Sequence, residues 1–74
     1  MAIISIYAAN VETAHGMLML YPIADDEFVQ FFADPATNST GLFVVCRVSA
    51  RKAASCKAIA ARQVPRHLIR DGYT

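Results

Sequence analysis

Two absences stand out in this 74-residue chain: it has no tryptophan, and no lysine or arginine occurs before Arg47. Cysteine is scarce as well. Cys46 and Cys56 are the only two, too few for a disulfide-stapled secreted scaffold. No Cys-x-x-Cys or His-x₃₋₅-His pair occurs, so zinc-ligand spacing is missing and no metal or other cofactor is expected. No apolar run approaches the roughly 18 residues that span a bilayer. The first residues carry no base and the first apolar run breaks at Asn10, unlike a secretory leader. These features read as a reduced, cytoplasmic chain, in which the Asn38-Ser39-Thr40 sequon has no glycan to carry.

Catalytic patterns are missing too. No nucleophile elbow, phosphate loop or metalloprotease spacing is present. Cys46 lies in an apolar run, where cysteine acts as a small hydrophobe. Cys56 stands beside Lys57, a cation able to lower a thiol pKa, but packing is the favoured reading there too. The acidic triplet Asp25-Asp26-Glu27 lacks the alternating oxygen ligands of a calcium loop. A non-enzyme without a small-molecule substrate is therefore expected.

What is present is segregated charge. Five acids (Glu12, Asp25, Asp26, Glu27, Asp34) precede Arg47, and seven bases with only Asp71 follow from there, for a net charge of +1. Apolar bulk is segregated in the same direction. The hydrophobic fraction is 55%, but thirteen of those residues are alanines, which bury little area. Most large apolar side chains lie in residues 1–48.

The pattern predicts an α+β fold with a small, three-stranded, antiparallel or mixed sheet. Its strands fall at 3–8, 17–21 and 42–48, the last apolar enough to be central. Asn10 to Gly16 reads as a turn, because Gly16 should stop a short helix over Val11–His15; a mostly helical 9–21 is the alternative. The acids at 25–27 favour a helix over about 25–33, ended by Asp34-Pro35. Residues 35–41 read as a loop. Ser49 can cap a basic helix over about 50–63, halted by Val64-Pro65. In outline, 1–48 form the apolar core, 49–64 a basic helix packed weakly on it, and 65–74 a flexible basic tail.

The expected partner-binding residues are Arg47, Arg51, Lys52, Lys57, Arg62, Arg66, Leu68, Ile69 and Arg70. Cations beside two large apolar residues suit a protein hot spot, and separated charge suits steering toward a larger partner. The favoured function is a small non-catalytic regulator of a larger protein machine. Transcription machinery, above all a host RNA polymerase, is the first choice of target, with a viral or phage origin. The alternative is a nucleic-acid-binding module that contacts phosphates through the same segment. Only Tyr73 is available there for stacking, which counts against it. A subunit of a small homo-oligomer is the third reading.

Overall fold

A computed structural model describes residues 1–33 and 41–73. The expected loop at 35–40, the Asp34-Pro35 stop and the Asn38 sequon lie outside the described residues. The element order is β1 (Ala2–Ala8), α1 (Val11–Leu20), a 3-10 turn (Asp25–Glu27), β2 (Phe28–Ala33), β3 (Leu42–Val48), α2 (Ala50–Arg62) and β4 (Ile69–Asp71). The sheet has four strands in the order β2-β3-β1-β4, and every neighbouring pair is antiparallel. Parallel strands β1 and β2 are thus split by β3, and β3 and β4 are split by β1. This is the ferredoxin-like, split-βαβ topology.

The α+β class stands, but four expectations are corrected. The sheet has a fourth strand, so the basic helix is not the last element: Ile69–Asp71, assigned to the tail, pair with Ile4–Ile6. Residues 17–21 are not a strand. Met17 to Leu20 belong to α1, and Asn10 caps it by accepting from the Thr13 N–H at 2.8 Å. The helix buries Ala14 and Met17, with Tyr21 just beyond, at the i, i+3, i+7 spacing of one helical face. Gly16 does not stop it: it keeps helical backbone without a positive φ, and α1 runs on to Leu20.

Residues 25–33 are not a helix either. Only Asp25–Glu27 form a 3-10 turn, and the next six residues are strand β2. Phe28 and Phe31 both pack against the core, a three-residue spacing that imitates a helical face. Its cause is a register shift between Phe28 and Gln30. The extra residue of a bulge returns the second phenylalanine to the face of the first.

The basic helix falls where expected. Ser49 Oγ accepts from the Lys52 N–H at 3.1 Å, and the helix ends at Arg62 before a Gln63 cap. Its buried residues are Ala53, Cys56 and Ala60, a stripe of small side chains. Both helices cover one sheet face. There Ile4, Ile6, Leu42, Val44, Cys46 and Val48 meet Ala14, Met17, Ala53, Cys56 and Ala60. Among the described residues, the opposite sheet face has no helix over it.

Two substitutions test this architecture. Ile6 is fully buried in the central pair, so Ile6→Ala should cost about 2–5 kcal/mol in a urea titration. A Cβ added at Gly16 meets nothing within 4 Å, so Gly16→Ala should stabilise the protein by about 0.5–1 kcal/mol. A loss of stability in that variant would contradict the α1 assignment.

Candidate functional site: the helix-free sheet face

Strand pairing decides which side chains share this face. Alternation along β1 and β3 sends Ile3, Ser5, Tyr7, Phe43, Val45 and Arg47 away from the helices. The register sets Tyr7 opposite Phe43 and Phe43 opposite Phe32, one aromatic from each of β1, β3 and β2. With strands about 4.8 Å apart, these three positions make a row about 10 Å wide. The Tyr7 and Phe43 rings meet edge-on at a centroid distance of 5.7 Å.

Two cations flank the row. Arg70 is paired with Ser5 from β4, and its guanidinium carbon lies 5.6 Å from the Phe43 ring centroid, within cation–π range. Arg47 is exposed on β3 opposite Ile3. No strand residue on this face is acidic among the described residues. Asp71, the one acid of β4, points to the helix side, where Lys57 Nζ meets its carboxylate at 2.7 Å.

The face is not fully open. After β4 the Gly72 N–H donates to the Ile3 carbonyl at 2.8 Å. The Ser5 hydroxyl donates to the Gly72 carbonyl. Tyr73 then reaches across β1 and β3 to Phe32, edge-on at 6.0 Å. Ser5 and Val45 are fully buried and Phe43 is only 3% exposed, though no helix among the described residues covers them.

The expected partner-binding residues do not form one surface. Arg47 and Arg70 belong to the aromatic face. Arg51 and Arg62 lie on the solvent side of α2, eleven residues and so about 16 Å apart along the axis. Neither has a carboxylate partner among the described residues. Lys52 instead pairs with Glu27 at 2.6 Å. That hydrogen bond, helped by the Ala24 N–H, lowers the Glu27 carboxyl below its usual range. Lys57, Arg66, Leu68 and Ile69 do come together, lining a cleft of about 380 Å³ with Ala60, Ala61 and His67.

His67 is held in that cleft by Tyr21, whose Oη lies 2.6 Å from its Nδ1. Burial, with a smaller contribution from Cys56, pushes the Tyr21 hydroxyl up to about 12. Tyr21 therefore keeps its proton across the neutral pH range. No group of three or more His, Cys, Asp or Glu is placed to hold a metal among the described residues, and no helix there is long and apolar enough to cross a membrane.

Sequence reasoning missed Tyr7, Phe32 and Phe43 as site residues. The alternation of β1 and β3 was a usable signal, but the row needs the register that only the paired sheet supplies. No protein-family model matches the chain, and neither a curated protein nor a solved structure does.

Both thiols are buried on the helix side. Burial, helped by Cys56 and Glu27, pushes Cys46 up to about 12, and burial raises Cys56 against the opposing pull of Lys52. A thiol whose folded value is raised stabilises the fold fully below its unfolded value, about 8.5. That contribution disappears as pH rises toward the folded value. Urea midpoints should therefore hold level to about pH 8 and fall between about pH 9 and 12, less steeply in Cys46→Ala. Stability that rises over that range would contradict the buried placement.

Proposed function

We propose that the protein binds single-stranded nucleic acid on the helix-free face of its sheet. One observation carries this reading: Tyr7, Phe43 and Phe32 stand in register across three strands, flanked by Arg47 and Arg70, on a face whose strands bear no acid among the described residues. Bases stack on aromatic rings whatever their identity, and arginines meet the phosphates between them. Four-stranded sheets that bind RNA use aromatics of this kind. The topology alone assigns no function, so the proposal rests on the side chains. It also removes the shortage of stacking partners that counts against this function in the linear sequence, because the rings come from the acidic half and the arginines from the basic half.

The interaction would be stacking-led. Two arginines on the face imply a log–log salt slope of only about −1.4 for single strands. Anisotropy of labelled oligo(U) and oligo(dT) of about eight nucleotides should show this shallow slope between about 50 and 200 mM salt. Tyr7→Leu should weaken binding by roughly five- to 150-fold, the range for one stacked base. Arg47→Gln should reduce the slope by about 0.7, and Arg51→Gln with Arg62→Gln should change neither. A steep slope that depends on Arg51 and Arg62 would overturn the proposal.

A second reading has its own support in the cleft between α2 and β4. There Lys57, Arg66, Leu68 and Ile69 combine cations with apolar side chains, the chemistry of a protein hot spot. A regulator docking through this cleft on a larger protein machine, with a host RNA polymerase as first choice, would keep its partner after nuclease treatment. Arg66→Ala should then abolish capture of that partner with stability nearly unchanged; capture that survives Arg66→Ala counts against this reading.

A further inference from the structure

The segment after β4 does something unusual for a chain that has completed its last strand pairing. Gly72 still bonds to Ile3 at the sheet edge, in continuation of the β1–β4 register, and Tyr73 then turns over the sheet to meet Phe32. Three contacts fix that path. The Gly72 N–H is bonded to the Ile3 carbonyl at 2.8 Å, its carbonyl accepts from Ser5 Oγ, and the Tyr73 ring abuts Phe32. The turn requires a glycine. Gly72 has φ +93°, a conformation that side-chain-bearing residues rarely adopt, although a Cβ there would meet nothing within 4 Å.

The contacts made by this segment are the ones a strand of nucleic acid would make. An aromatic ring lies against Phe32 as a base would. A polar backbone occupies the Ser5 hydroxyl. Phe43 and Val45 on the same face are buried as well.

We infer that Gly72–Tyr73 is a strap that occupies the nucleic-acid face in the free protein and is displaced when a single strand binds. This inference rests on the reading of that face given above. Because only conformers with the strap lifted offer Phe32 in full, the observed affinity is the intrinsic one reduced by the lifted fraction. The strap also excludes weak ligands, since an incoming strand must replace both a ring contact and the hydrogen bond of the Ser5 hydroxyl. Tyr73 itself is about half exposed, which leaves it accessible to that exchange.

The test compares wild type with Tyr73→Ala and Gly72→Ala, using oligo(dT) anisotropy together with amide exchange at Gly72. Tyr73→Ala removes the ring that competes for Phe32 and should tighten binding by about three- to tenfold, the worth of an edge-on aromatic pair. Gly72→Ala acts on backbone conformation alone and should tighten binding in the same direction, with faster exchange at residue 72 before any ligand is added. In wild type, adding oligo(dT) should speed Gly72 exchange while the amides of β1 and β3 stay protected.

Weaker binding by Tyr73→Ala would make Tyr73 part of the platform and overturn the strap while leaving the face intact. Wild-type binding with Gly72 still protected would overturn it in the same way. Binding by Tyr73→Ala but not by wild type would support the strap in its strongest form. Absence of binding by all three proteins would overturn the nucleic-acid reading and the strap with it.

Discussion

The antiparallel pairing of β1 with β3 is the interaction on which everything else depends. Seven residue pairs run from Ala2 opposite Val48 to Ala8 opposite Leu42. One parity of that register gives the protein its core: Ile4 and Ile6 meet Val44, Cys46 and Val48 beneath the helices. The other parity places Tyr7 beside Phe43 and Ile3 beside Arg47. A slip of one residue would exchange these two sets and lose both at once. Stability and the candidate site are therefore two faces of one pairing, and the strong apolar demand of the helix side fixes the geometry of the aromatic side.

The helices contribute unequally. α2 covers the sheet with Ala53, Cys56 and Ala60, so its close approach gains little apolar area. Ion pairs from its lysines to Glu27 and Asp71 link it to the 3-10 turn and to β4; the exposed Lys57–Asp71 pair adds little. α1 supplies Ala14 and Met17 and leaves Met19 90% exposed. A core of this kind depends on its β-branched strand residues, and Ile4, Ile6, Val44 and Val48 have no exposure at all.

Much of this was readable in the chain. The apolar run Leu42–Val48 identified the central strand, and Ser49 with the alanine-rich segment after it identified α2 nearly to the residue. The errors share a physical origin. Phe28 and Phe31 look helical because a bulge at Val29 adds one residue to a strand. Met17 to Leu20 look like a strand because an unbroken apolar run carries no period, and Gly16 looks like a stop because its low helix propensity is outweighed only by the packing of Ala14 and Met17. β4 is three residues long, and its reason for pairing is the open edge of β1, a property of the assembled sheet. The site was hidden for the same reason: its rings and its arginines lie in opposite halves of the sequence, and only the 4-1-3-2 strand order joins them.

The claim that one face of the β1–β3 pair is core and the other a ligand surface is tested most directly by methyl NMR during titration with a short single-stranded oligonucleotide. The account predicts shifts for Ile3 and Val45, which face away from the helices, with Ile4, Ile6 and Val44 unmoved beneath them. Shifts confined to Leu68 and Ile69 in the α2–β4 cleft, with Ile3 and Val45 silent, would contradict it.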